Sequence, residues 1–252
     1  MTHPSRKTVD VQTFWYMKKL FIPQTLMIFC TPLYIYTYIC MTTDIPLGMK
    51  DMVYIQVSDE LDVMVWFHGG GFVSGTASFY GPEHLLDEDI VLVTVNYRLG
   101  PLGFLSTGDE VAPGNFGLKD QAAALRWVRD NIREFGGNPQ SVTLFGESAG
   151  GSSVHFHMLS PLSRGLFHRG ISQSGTALCS WALAPNGTST HQAKKLAALL
   201  DCPQEPSAAL VACLRTKEAN DIIATDKQFM VSTKTATVYI LCYHSHYYGP
   251  QV

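Results

Sequence analysis

Residues 141–151 read SVTLFGESAGG: an apolar, β-branched run from Ser141 to Phe145, then Gly146-Glu147-Ser148-Ala149-Gly150-Gly151. A short run of this kind bounded by glycines is a buried-strand signal, and the stretch 152–159 after it can be helical. Ser148 therefore falls at a turn between a strand and a helix. Gly-x-Ser-x-Gly is a weak pattern by itself in a chain with 21 glycines; the context gives it weight. Small residues at 146, 149, 150 and 151 let the chain make the strained turn that lifts a serine hydroxyl above a sheet. A hydroxyl so placed suits nucleophilic acyl transfer, and the amide of Ala149 at the helix start is aimed where negative charge would develop.

Outward from this stretch the same alternation recurs. DVMVWF at 62–67 and IVLVTV at 90–95 are buried-strand candidates. Between residues 118 and 135, Leu118, Ala122, Leu125, Val128, Ile132 and Phe135 make one apolar stripe at spacings of three and four, stopped by Gly136-Gly137 with Pro139 beyond. Strands alternating with amphipathic helices predict an α/β fold with a mostly parallel sheet flanked by helices on both faces.

The strand 62–67 runs into His68-Gly69-Gly70-Gly71-Phe72. Glycines let backbone amides approach a ligand oxygen with no side chain between, and the C-terminal ends of parallel strands are where such sheets bind ligands. Gly70 and Gly71 are the candidate oxyanion donors. A glycine-rich turn that only reverses the chain is the plainer alternative for this motif alone. A phosphate cradle fits worse, because no GxGxxG or Walker pattern completes it.

The 252 residues are 46% apolar and 15% charged with a formal net charge of −3, enough for a sizeable core and without the basic footprint of a nucleic-acid binder. Cys30, Cys40, Cys179, Cys202, Cys213 and Cys242 lack paired CxxC spacing, so no metal is expected and disulfides or free thiols remain. No cofactor motif appears. Asn186-Gly187-Thr188 is a glycosylation acceptor, relevant if the chain is secreted. Residues 20–41 carry no charge and come directly after Lys18-Lys19, which makes 17–41 a candidate signal or anchor and the only expected membrane contact, although Pro23, Pro32 and Gln24 weaken a spanning helix. Composition changes near residues 50 and 228. The expected organisation is a divergent N-terminal segment (1–50), one α/β domain (51–228) and a tail (229–252) that ends without a helix cap or a closing strand partner.

DVMVWFHGGGFVSG (62–75), NYRLGPLGFL (96–105), residues 114–151 and RGLFHRGISQSG (164–175) closely resemble type-B carboxylesterases, the family that includes the cholinesterases and many insect esterases. The resemblance runs through about two-thirds of the chain. It implies a partial α/β-hydrolase fold, a carboxylic-ester hydrolase with a small-molecule ester substrate, Ser148 as acyl-accepting nucleophile, Gly70, Gly71 and Ala149 as oxyanion-hole amides, and Glu147 as the acidic neighbour of the nucleophile. It also implies a Cys202–Cys213 disulfide, against the alternative of two buried thiols. An earlier family disulfide is lost: KDMVYIQV at 50–57 has Met52 where that cysteine would stand.

In α/β-hydrolases an acid and a histidine come after the serine in that order, and neither is evident here. His155 lies about 10 Å along the helix axis from Ser148; His157 and His168 read as structural, and His191, His244 and His246 fall outside the family motifs. The family's acid and histidine lie more than a hundred residues past the serine, so the expectation is a fragment of an esterase. A non-catalytic, cholinesterase-like adhesion or binding domain is the alternative from another class, although such domains usually lack the nucleophile. A lipase or amidase on the same scaffold is a third.

Overall fold

Val63, Val65, Phe67, Val91, Val93, Val95, Val142 and Leu144 are spaced by two along three runs, and all lie buried in one cluster. That alternation is the signature of strands sharing one covered face. A computed structural model describes residues 60–233 and the strand segments 9–12, 25–30, 37–42 and 236–239. One sheet contains β1 (Val9–Gln12), β2 (Thr25–Cys30), β3 (Thr37–Thr42), β4 (Leu61–Phe67), β5 (Ile90–Val95), β6 (Gly137–Glu147) and β7 (Arg169–Gln173). The strand order is β1-β2-β3-β5-β4-β6-β7. Strands β3, β5, β4, β6 and β7 pair in parallel, whereas β1 and β2 add antiparallel. This is the mostly parallel, helix-flanked sheet of a partial α/β-hydrolase fold. Of the stretch 17–41, the described residues are strands; the remainder, like the strand expected at 50–57, lies outside the described residues. No helix among the described residues is long and apolar enough to cross a membrane.

The helices are α1 (Gly100–Phe104), α2 (Phe116–Asn131), α3 (Ala149–Leu159), α4 (Thr188–Leu199), α5 (Ser207–Leu214) and α6 (Ala219–Ala224). The stripe expected over 118–135 is α2, its last turn tightened into a 3-10 turn at Ile132–Phe135 that ends at Gly136 in the left-handed region. Ala124, Leu125, Val128 and Ile132 of this unit and Val154 of α3 cover the valine face of the sheet. The opposite face presents Met64, Trp66, Leu92 and Phe145, packed with Ala77 and Leu86 from the 3-10 turns Ala77–Phe79 and Leu85–Asp87. Arg98, just past β5, makes two parallel bonds of 2.7 Å to the Asp120 carboxylate and so ties the start of α2 to that strand end.

After residue 231 the sequence pattern predicts no strand partner. The structure instead pairs β8 (Met230–Thr233) with β9 (Ala236–Tyr239) as an antiparallel hairpin. The β-branched Val231, Thr233, Thr237 and Val238 suit such a ladder, which stands as a separate two-stranded sheet. His244 and His246 lie outside the described residues.

Helices α4 to α6 close over a separate apolar cluster of Leu196, Leu210, Leu214, Ile222 and Phe229. Cys202 and Cys213 are joined within it, with Cα atoms 5.7 Å apart. Closing an 11-residue separation removes unfolded-chain entropy worth about 3 kcal/mol. Cys213→Ser is therefore expected to lower unfolding free energy by about that amount in urea titrations. Peptide mapping without reductant, on protein passed through an oxidising compartment, should recover the linked pair; two free thiols there would contradict it.

Candidate active site

Strands β4 and β6 pair so that Phe67 stands opposite Gly146. The two chains therefore leave the sheet side by side, and the segment beyond Phe67 meets the segment beyond Gly146. These segments are His68 to Phe72 on one side and Glu147-Ser148 on the other. A Cβ placed on Gly69 would lie 2.8 Å from Glu147 Oε2 and 3.3 Å from Ser148 Cβ. The glycine loop is thus pressed against the serine turn.

Ser148 is the turn. Its backbone has φ 55° and ψ −116°, and it caps α3, which begins at the next residue. The helix expected from residue 152 starts three residues earlier, because one strained residue suffices for the reversal. A Cβ on Gly146 would lie 2.5 Å from the Gly150 carbonyl carbon across this turn, and Gly150 and Gly151 sit inside the first turn of α3, where they also allow it to pack on neighbouring backbone. A Cβ at Gly150 would strike the Phe67 carbonyl, and one at Gly151 would come within 2.8 Å of the Gln173 and Gly175 carbonyls. The Ser148 amide donates to the Gln173 carbonyl at 2.8 Å, and the Ser148 carbonyl accepts from the Ser152 amide at 3.0 Å. The Ser148 side is partly open to solvent, and Glu147 is exposed.

Gly70 (φ 106°) and Gly71 (φ 62°) occupy conformations closed to most side chains. The Gly70 carbonyl is held by the amides of Val73 and Ser74 at 3.1 and 3.0 Å. Among the described residues, the amides of Gly70, Gly71 and Ala149 meet no acceptor. His68 is buried at the root of the loop: Nδ1 bonds the Gly69 carbonyl at 2.7 Å, and the ring stacks on Tyr97 with centroids 4.5 Å apart. The Tyr97 hydroxyl donates to the His68 carbonyl at 2.7 Å. Burial lowers the His68 pKa, so the ring is neutral and Nδ1 is the donor.

The sequence model of the carboxylesterase family matches residues 32–246. This chain belongs to the carboxylesterase family. It is 48% identical over 196 residues to "Esterase FE4" of Myzus persicae, covering 73% of this chain and 34% of the relative. "Venom carboxylesterase-6" of Apis mellifera is 48% identical over 191 residues, with the same shares. "Cholinesterase 1" of Branchiostoma lanceolatum is 52% identical over 166 residues, or 64% of this chain and 46% of the relative. The chain spans about a third of the length of the first two.

Within this carboxylesterase chain four of the described histidines, His68, His155, His157 and His168, are engaged elsewhere, whereas His84 is exposed and lies outside the motif segments. His155 Nδ1 accepts from the Ala177 amide at 3.2 Å, and His168 Nδ1 from the Val142 amide at 3.2 Å. His157 is buried between Ser163 Oγ at 2.7 Å and Gln121 Oε1 at 2.9 Å. His191 is exposed on α4. Among the described residues no side chain hydrogen-bonds to Ser148 Oγ. Asn186 is exposed in the turn before α4. Sequence reasoning missed Tyr97, Gln121, Ser153 and Ser163. The one available signal was Gln121, a polar residue inside the apolar stripe of α2.

Full burial drives the His157 pKa down to about 3. A folded value below the unfolded value of about 6.5 means that the unfolded chain takes up the proton first. The histidine's contribution is complete above that value and is lost as pH falls toward 3, by about 1.4 kcal/mol per pH unit. His68 acts in the same direction. Urea unfolding should therefore show at least about 2 kcal/mol less stability at pH 5 than at pH 7, a gap that shrinks in His157→Phe; equal stabilities would contradict the assignment. Gly150→Ala should cost more than about 3 kcal/mol, because backbone rather than a movable side chain blocks the new methyl. A midpoint within error of the parent would refute the close approach.

Proposed function

We propose that the chain is the nucleophile-bearing part of a carboxylic-ester hydrolase that works through an acyl-Ser148 intermediate. The observation that carries this is the left-handed backbone of Ser148, held at the start of α3 against a glycine loop. Ser148 Oγ attacks the ester carbonyl carbon while its proton passes to a base. Negative charge collects on the carbonyl oxygen, and the amides of Gly70, Gly71 and Ala149 are the donors to it. Collapse expels the alcohol, protonated by the same base, and leaves the acyl group on Ser148; water then releases the acid. Fixed amides are effective here because they need no reorientation as charge develops, and removing one such donor typically slows turnover by about a hundredfold or more.

The base and its acid partner belong, in this reading, to polypeptide not contained in these 252 residues. The separate engagements of His68, His155, His157 and His168 support this, as does the greater length of the relatives. The substrate class is small carboxylic esters. Secretion, a leader or anchor within 17–41 and glycosylation at Asn186 are part of the same proposal, supported by the exposure of Asn186, by the Cys202–Cys213 bond and by a venom protein among the relatives.

The test is hydrolysis of an activated aryl ester. The 252-residue chain is expected to turn over slowly, because a serine hydrolase without its histidine loses on the order of a millionfold and keeps about a thousandfold over water. Joined to the remaining two-thirds of a relative, it should become fast, carry the acyl group on Ser148 by mass spectrometry and lose turnover in Ser148→Ala. Fast turnover by the short chain, abolished in that variant, would overturn the assignment of the base. Retained turnover in Ser148→Ala of the joined protein would overturn the nucleophile.

A further inference from the structure

Ala149, Ser153 and His157 recur every fourth residue and so share one face of α3. That face is buried: Ala149 and Ser153 are wholly inaccessible and His157 nearly so. Across from it, Gln121 of α2 is also wholly buried. These residues are linked in series. Ser163 Oγ meets His157 Nδ1 at 2.7 Å, and His157 Nε2 meets Gln121 Oε1 at 2.9 Å. Gln121 Nε2 donates to Ser153 Oγ at 3.1 Å, and Ser153 Oγ donates to the Ala149 carbonyl at 2.9 Å.

The series has a single direction. Because the Gln121 amide nitrogen is used on Ser153, its oxygen faces His157 and requires a proton on Nε2. Nδ1 is then the acceptor, and the Ser163 hydroxyl must donate to it. Each hydroxyl proton and the imidazole proton thus has one assigned acceptor, and the last is the carbonyl of Ala149. The Ala149 amide lies on the same residue, one peptide from Ser148. The Ala149 carbonyl would otherwise be held only by the helix ladder, whose first turn is its weakest part.

We infer that His157, through Gln121 and Ser153, is a positioning residue that fixes the first turn of α3 and thereby the aim of the Ala149 amide. This rests on the proposed role of that amide as an oxyanion donor. The network locks α2, α3 and the 3-10 turn Pro161–Ser163 to one another. It does so with neutral groups, which a low-dielectric interior accepts only when each is paired. A well-packed apolar triple at 121, 153 and 157 could hold the helices together equally well, but it could not pull on one carbonyl.

The test uses the 252-residue chain and amide hydrogen exchange by NMR. In Ser153→Ala, exchange at the amides of positions 152 and 153, which close the first turn of α3, should rise about tenfold after correction for intrinsic rate, the equivalent of one lost hydrogen bond. Amides of Val65 and Val93 in the central strands should change less than about twofold. A uniform rise across the sheet, or no change at α3, would overturn the positioning role. The unaltered chain supplies a second measurement that does not depend on the variant's folding: the nitrogen-15 spectrum of His157 should be that of the Nε2–H tautomer, with its proton coupled to Gln121. An Nδ1–H tautomer would break the series and overturn the inference. Neither readout involves ester turnover, so this proposal and the assignment of Ser148 fail on different experiments.

Discussion

The backbone of Ser148, at φ 55° and ψ −116°, is the constraint around which the described structure is arranged. A non-glycine residue in such a conformation stores on the order of 1–3 kcal/mol and persists only where its surroundings leave it no alternative. The surroundings here are backbone. The Gln173 carbonyl takes the Ser148 amide, Gly150 lies on the Phe67 carbonyl, and Gly175 lies on the Ser148 carbonyl. Strands β4, β6 and β7 supply these contacts from three adjacent strand ends, and their parallel pairing sets the level at which each ends. Backbone contacts of this closeness exclude any side chain, which explains why glycine rather than alanine stands at 150 and 175.

A second constraint arises from burial. The face of the sheet beneath α2 and α3 is apolar, so any polar group placed there must find its partner inside the protein. His157, Gln121, Ser153 and Ser163 satisfy one another, and His68 leans on Tyr97 and the Gly69 carbonyl. Both histidines remain neutral because burial disfavours their charged forms more than any neighbour favours them. The exposed pairs contribute less. Even the two-bonded Arg98–Asp120 contact is open on the arginine side, where solvent screening limits such a pair to about 1 kcal/mol or less. Its value is in fixing where α2 begins.

Legibility in the sequence tracked the strength of the periodic signal. The runs at 62–67 and 90–95 and the stripe at 118–135 were readable because each buries a continuous face, and the first and last of them ended at glycine stops. Strand β7 was not readable by periodicity: RGISQ has one large apolar residue, and all five residues are exposed. Its place in the sheet comes from pairing with β6, a long-range fact that no local pattern carries. Strands β2 and β3 fall within a charge-free stretch whose composition resembles a leader as much as a sheet edge. At the site, Ser148 and the glycine loop were visible as motifs. The start of α3 was not, since three small residues after a serine look alike whether they form a turn or pack a helix. Ser153 was hidden because its role exists only where two helices meet, and Gln121 showed only as a polar residue inside an apolar stripe.

The arrangement divides the labour between groups that titrate and groups that do not. Under the proposed chemistry the charge on the substrate oxygen falls to backbone amides, which keep their protons throughout the physiological range and contribute a fixed field. The supports that hold those amides in place include His68 beneath the glycine loop and His157 beneath α3, both dependent on staying uncharged. Acid therefore acts on the site indirectly: it leaves the donors intact and loosens their mounting. A glycine at 148 would relieve the strain but would also remove the hydroxyl that the turn presents. The conflict between conformational ease and chemistry falls on one residue, and the surrounding backbone is what keeps that residue in place.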